Sequence, residues 1–188
     1  MELLYNKQSE AMENCWAVAG FTVGELTSAS FTGAISLSEG INLVKIWLEI
    51  MQAASDLCNC GRMTVFMGAD SELGFGCQVA TEWCRRRHDL EDPVCQVANH
   101  LHCGAKVVGG HELVLQFLEQ NKADFKIRST MRLPVSGAFH TPLKLPTVDP
   151  FRQTLEHTRV SDPGVPVYSN YENRLIKELQ RKMIKRKS

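Results

Sequence analysis

A hydroxyl between two glycines and a histidine far along the chain are the residues best suited to chemistry. Thr22 stands in Gly20-Phe-Thr-Val-Gly24, and His140 stands in Pro134-Val-Ser-Gly-Ala-Phe-His-Thr141. A hydroxyl projecting from a tight strand-to-helix turn, with a histidine to take its proton, is the layout of serine-type acyl transfer. Such a turn wants small residues on both sides, so that the nucleophile stands clear of a strained backbone. The pattern G-x-S-x-G has serine at its centre, whereas this chain has threonine. A β-branched side chain is disfavoured on that backbone. Taken alone, Thr22-Val-Gly-Glu25 also reads as a capping box at a helix start. The two readings are compatible, because the nucleophile of this motif also begins a helix.

The elements that must position these residues follow from periodicity. Residues 14–21 read as a short buried strand leading into the turn. Residues 24–31 read as a small-residue helix ended by Gly33. A second helix, from about Ser38 to Ala54, places Leu43, Ile46, Trp47, Ile50 and Met51 on one face, opposite Lys45, Glu49 and Gln52. Strands are expected at 63–67, 94–98, 106–108 and 125–127. Helices are expected at 72–87, which closes on Arg85-Arg-Arg87, and at 111–121. The order β-α-β-β-α-β indicates a ferredoxin-like subdomain inserted into a larger α/β unit. A helix over 148–157 and a strand over 165–169 return to that unit.

Composition narrows the classes. The chain has 188 residues, 44% of them hydrophobic, enough for one good core or a core with a small satellite. Lys+Arg and Asp+Glu balance at 21 each, so no overall field favours nucleic acid. No apolar run reaches the ~18 residues that span a bilayer. Seven scattered cysteines, an odd number, including a close Cys58-Asn-Cys60 pair, read as reduced thiols in an intracellular setting. The start, Met1-Glu-Leu-Leu-Tyr5, carries no transit-peptide pattern. That leaves a protein outside mitochondria, or a chain whose beginning is absent.

Several short blocks in fixed order make the motif specific: Glu13-Asn-Cys15, Ala19-Gly-Phe-Thr-Val-Gly-Glu25, Val44-Lys-Ile46 with Met51-Gln52, Pro93-Val94, residues 107–111 and 134–141, and Val167-Tyr-Ser-Asn170. In these the chain resembles the malonyl-CoA:acyl carrier protein transacylases, most closely the animal mitochondrial members. The resemblance implies an α/β acyltransferase fold with an α/β hydrolase-like parallel-sheet core and the ferredoxin-like insertion. On this reading residues 1–60 and 130–175 form the core, incomplete at both ends. Residues 61–129 form the insertion and 176–188 a basic tail. The resemblance also implies malonyl transfer from malonyl-CoA to acyl carrier protein through a covalent acyl-enzyme, in the mitochondrial matrix, by a monomer. No cofactor, metal, nucleic acid or membrane is implied. Carried over by position, Thr22 is the nucleophile, the Val23 N–H an oxyanion donor and His140 the base. The family's arginine, which holds the malonyl carboxylate, falls on Trp47. Indole offers one N–H and no charge, so it cannot replace a bidentate guanidinium.

Other readings stand beside these. His140 reads alternatively as a satisfied structural histidine and Trp47 as core packing. His100-Leu-His102-Cys103 lacks a second ligand cluster at a usual spacing and reads as a loop rather than a metal site. The run Arg181–Lys187 reads as a solvated tail, with an acidic carrier protein as the sharper alternative. An ordinary esterase needs an acid between nucleophile and histidine in chain order, and no Asp or Glu stands out. A pseudoenzyme that keeps its interaction surface but not its chemistry competes with the enzyme reading.

Overall fold

The structure is a computed structural model that describes residues 14–88, 90–135, 137–170 and 174–176. The basic tail beyond Ile176, and Ser136 of the histidine motif, lie outside the described residues. The chain divides into two compact units, one comprising 1–48 and 151–188, the other 49–150.

In the first unit, strand β1 (Val18–Ala19) pairs in parallel with β6 (Val167–Ser169), Val18 opposite Val167. Strand β7 (Arg174–Ile176) lies antiparallel on the other side of β6. The expected strand over 14–21 is shorter than periodicity suggested, because Phe21 to Val23 already belong to the turn. Helix α1 (Gly24–Phe31) occupies its expected span and ends where Thr32 Oγ1 donates to the Ser28 carbonyl at 2.9 Å. Gly33 then takes φ +75°, a left-handed conformation that glycine adopts without steric cost.

Helix α2 (Leu37–Asp56) starts from a reciprocal cap. Ser36 Oγ accepts from the Glu39 N–H at 3.2 Å, and the Glu39 carboxylate accepts from the Ser36 N–H at 3.1 Å. Leu43 and Met51 are buried, Ile46, Trp47 and Ile50 half-buried, and Lys45, Glu49 and Gln52 exposed, as the 3.6-residue period requires. Gly40 on α2 lets Ser30 of α1 come so close that a Cβ would strike its hydroxyl. The Ser161 and Gly164 N–H groups donate to the Ala34 and Thr32 carbonyls, both at 2.8 Å, tying the segment before β6 to the α1–α2 connection.

The second unit is an antiparallel four-stranded sheet, with α3 (Leu73–Arg87) and α4 (Glu112–Gln120) packed on each other and on the strands. Its strands are β2 (Cys60–Met67), β3 (Cys95–His102), β4 (Ala105–His111) and β5 (Ile127–Arg132), in spatial order β3-β4-β2-β5. Alternation along β2 sends Met63 and Val65 into a core with Leu73, Cys77, Val108, Leu115, Leu118, Phe125 and Ile127. Two sequence expectations shift. The last strand begins at Ile127 rather than Phe125, because Phe125 is a turn residue drawn into the core. His100 and His102 lie on β3, not in a loop: the strand runs out to a tight turn at Cys103–Gly104 that feeds β4 directly. A 3-10 helix (Pro142–Thr147) follows the histidine motif and leads into α5 (Val148–Glu156). Among the described residues, no helix is long and apolar enough to cross a membrane.

Candidate active site

Thr22, Val23 and Trp47 belong to the first unit and His140 to the second. Thr22 has φ +53°. For a β-branched residue this left-handed conformation is a steric outlier. What holds it is the chain's own backbone. Gly20 and Gly24 approach so closely that a Cβ on Gly20 would overlap the Gly24 carbonyl. The Gly24 and Glu25 N–H groups donate to the Phe21 and Thr22 carbonyls at 2.9 and 3.0 Å, winding the turn directly into α1. The requirement for small residues is one-sided, since a Cβ on Gly24 would meet nothing within 4 Å.

The capping-box reading of Thr22 does not hold in the structure. The residue at the helix cap is Val23, and no side chain caps that end. Glu25 instead accepts from the Asn170 N–H at 3.1 Å, while the Asn170 side-chain amide donates to the Gly20 carbonyl at 2.5 Å. Asn170 therefore braces both sides of the turn. Asn170 and Glu25 stood in the sequence blocks without a role, since nothing local links positions so far apart. Among the described residues the Val23 N–H makes no hydrogen bond, as the first donors of a helix do unless a side chain caps them. Trp47 is half-buried on α2.

His140 also sits in a left-handed conformation, φ +62°. Thr22, His140 and Lys126 are the non-glycine residues with positive φ among those described. The turn that carries His140 is fastened from below. Thr141 is buried and its hydroxyl donates to the Ala138 carbonyl at 2.6 Å. Gly109 on β4 leaves room for it, since a Cβ there would lie 2.8 Å from the Thr141 methyl. Gly137 does the same for Ser55, whose hydroxyl would be 2.5 Å from a Cβ.

Beneath the loop runs a buried polar network that sequence reading missed. Lys144, 5% exposed, donates to the Met51 carbonyl at 3.1 Å and to the Ser55 hydroxyl. Its ammonium lies 5.2 Å from the centroid of the Phe139 ring, and the Arg62 guanidinium lies 4.7 Å from the same centroid. The available signals were a lysine inside the apolar Pro142-Leu-Lys-Leu-Pro146 and an arginine beside the apolar face of β2.

The electrostatics of this region follow from burial. Desolvation lowers the pKa of His140 below the ordinary imidazole range, and the Arg62 charge pushes the same way, although the residue as a whole is exposed. Desolvation likewise lowers Arg62 and Lys144, with Cys60, Cys58 and Asp56 drawing the lysine back up. The Cys58 thiol is pushed up to about 11, by burial first and by its contact with Cys60 second, so it stays protonated near neutral pH. Among the described residues, no group of three or more His, Cys, Asp or Glu is placed to hold a metal ion. His102 instead accepts from the Gly104 N–H at 3.2 Å.

No family model matches the chain. It is similar to the human protein called malonyl-CoA-acyl carrier protein transacylase, mitochondrial, 42% identical over 170 residues, covering 90% of this chain and 43% of that protein. The mouse counterpart is also 42% identical, covering 90% of this chain and 44% of its own. The resemblance to mitochondrial transacylases drawn from the short blocks thus extends over nine-tenths of the chain. The chain spans less than half the length of these relatives. Among solved structures, the malonyl CoA-acyl carrier protein transacylase of Coxiella burnetii superposes with TM-score 0.77 at 24% identity, over 93% of this chain and 52% of that one. A malonyl-transacylase solved in complex with a type II polyketide synthase acyl-carrier protein gives TM-score 0.78 at 20% identity, over 97% and 56%. The fold is therefore that of the acyltransferases, an α/β arrangement with parallel and antiparallel sheets.

Proposed function

We propose that the chain belongs to an acyltransferase that moves a malonyl group from malonyl-CoA to acyl carrier protein, serving fatty-acid biosynthesis in the mitochondrial matrix. The observation that carries this reading is the backbone strain. The two residues nominated from sequence for nucleophile and base are two of the three non-glycine residues at positive φ among those described. Strain of this kind costs of order 1–3 kcal/mol per residue and persists where the surroundings over-determine it, as at functional sites.

In the proposed reaction Thr22 Oγ1 attacks the thioester carbonyl while His140 takes the hydroxyl proton. The Val23 N–H donates to the oxyanion. The C–S bond then breaks, His140 returns the proton to the departing CoA thiol, and the malonyl group is left as an ester on Thr22. Attack by the phosphopantetheine thiol of the carrier protein reverses these steps and releases the acyl group. The lowered pKa of His140 suits it to be neutral, and so a base, at physiological pH. The threonine methyl crowds a turn already at φ +53°, so transfer is expected to be slow. No metal or cofactor takes part, and the acting species is a monomer with neither nucleic acid nor membrane as partner. The β-α-β-β-α-β order and the strand order β3-β4-β2-β5 support describing residues 61–129 as a ferredoxin-like insertion. The remainder, 1–60 and 130–175, is then the α/β hydrolase-like core.

The same Thr22 methyl, with Trp47 where the family has its carboxylate-binding arginine, favours a second reading. In it the chain is a pseudoenzyme that still binds the carrier protein. Incubation with labelled malonyl-CoA, followed by mapping of the adduct, separates the two. Labelling of the peptide holding Thr22, lost in His140→Ala and accelerated about tenfold or more in Thr22→Ser, supports the enzyme. Absence of adduct in both the unmodified chain and Thr22→Ser, with carrier protein still bound, establishes the pseudoenzyme.

A further inference from the structure

Two cations face the Phe139 ring, and they differ in what their donors do. Lys144 spends its ammonium on the Met51 carbonyl and the Ser55 hydroxyl. Arg62 finds no acceptor among the described residues, and its Nε is buried without a hydrogen-bond partner. Arg62 sits on β2 opposite Gly109. A half-buried guanidinium with unused donors is costly unless an anion completes it. A planar fork is best completed by a carboxylate or a phosphate.

We propose that Arg62 is the specificity-determining cation of this chain, binding the free carboxylate of a dicarboxylic acyl thioester beside His140. This inference rests on the acyl-transfer reading above. Its reasoning is positional. Arg62 packs on Phe139, the residue before the proposed base, and its charge is felt at His140. The carboxylate of a malonyl group lies one carbon from the reacting carbonyl, so an acyl group served by His140 brings its carboxylate to this neighbourhood. The phosphates of CoA lie at the far end of the pantetheine arm. Trp47, on helix α2, contributes no charge, whereas Arg62 offers one from strand β2.

The test is equilibrium binding by calorimetry to the full chain and to Arg62→Gln and Arg62→Lys. The ligands are malonyl-CoA, acetyl-CoA and malonyl-pantetheine, the last of which lacks the nucleotide phosphates. Arg62→Gln is expected to weaken malonyl-CoA and malonyl-pantetheine by about 10- to 100-fold, the loss of a charged hydrogen-bonded pair. Acetyl-CoA should change by less than about threefold, and Arg62→Lys should fall between because an ammonium lacks the fork. Weakening of both CoA thioesters with malonyl-pantetheine unchanged would assign Arg62 to phosphate and overturn the proposal. Equal binding of all three ligands to unmodified chain and variant would overturn it while leaving acyl transfer standing. Failure of the unmodified chain to bind any of them would remove both. If Arg62→Gln does not fold, judged by its denaturation midpoint, Arg62→Lys decides. A selective loss of about fivefold for the malonyl ligands supports the assignment, and no selective loss rejects it.

Discussion

The Thr22 turn and the His140 turn hold the same unfavourable backbone conformation by different means. At Thr22 the restraint is main chain against main chain: Gly20 lies on the Gly24 carbonyl, and Asn170 clasps the turn from another strand end. At His140 the restraint is made of side chains: Thr141 bonded to Ala138, with Phe139 against Lys144 and Arg62. A backbone restraint tolerates almost no change at one position and is indifferent a few residues on. A side-chain restraint spreads its cost over several residues and also sets the local charge. The first therefore fixes where a hydroxyl points, and the second fixes both where an imidazole points and how readily it holds a proton.

The sharpest way to break the comparison is Gly20→Ala. Its Cβ would overlap the Gly24 carbonyl, so the turn must move, with an expected loss of about 3 kcal/mol in denaturant unfolding and of all adduct at Thr22. Lys144→Ala, beneath the other turn, removes a buried side chain with its bonds to the Met51 carbonyl and the Ser55 hydroxyl, which keeps its own bond to Met51. A loss of about 2–3 kcal/mol is expected, with labelling reduced rather than abolished because the backbone at Thr22 is untouched. Abolished labelling at unchanged stability would show that the lysine acts in the chemistry and not only beneath the loop.

A pH profile sharpens the electrostatic half. On the proposed mechanism the base must be neutral, so transfer is expected to rise with pH through the pKa of His140, which desolvation and Arg62 both hold below the ordinary imidazole value. Removing the charge in Arg62→Gln favours the imidazolium, so the acid limb should move to higher pH, measured on acetyl-CoA to keep substrate carboxylate out of the comparison. A limb that stays still would mean Arg62 does not act on the base. The smallest effect belongs to Gly24→Ala. Its Cβ enters open space at the first position of α1, where alanine is the better helix former, so stability should change by no more than about 0.5–1 kcal/mol, upward. A loss comparable to Gly20→Ala would contradict the one-sided restraint.

Much of this was legible in the sequence because it is local. The α2 face from Leu43 to Met51 follows from periodicity, and the β-α-β-β-α-β succession of elements in the second unit follows from their patterning. The turn at Thr22 announced itself through its glycines. What escaped was long-range or depended on competition between partners. The cap at Thr22 looked plausible until Asn170 was seen to take Glu25. The β3 strand was cut short at Ala98 because His100 and His102 look like loop residues, yet the ladder to β4 carries them along. Arg62 and Lys144 were invisible as a pair, since only folding sets β2 and the 3-10 helix against one phenyl ring.

The clasp by Asn170 also has a consequence for the order of assembly. It joins residues 150 positions apart, and the parallel pairing of β1 with β6 spans nearly the same distance. Neither contact can form on a growing chain until almost all of the described residues have been synthesised. Because loop-closure entropy rises with separation, both wait for shorter-range structure such as the four-stranded sheet of the second unit to condense first. The conformation at Thr22 is then imposed late. A nascent or partly folded chain would carry Thr22 in a relaxed backbone, without the geometry that the proposed acylation requires.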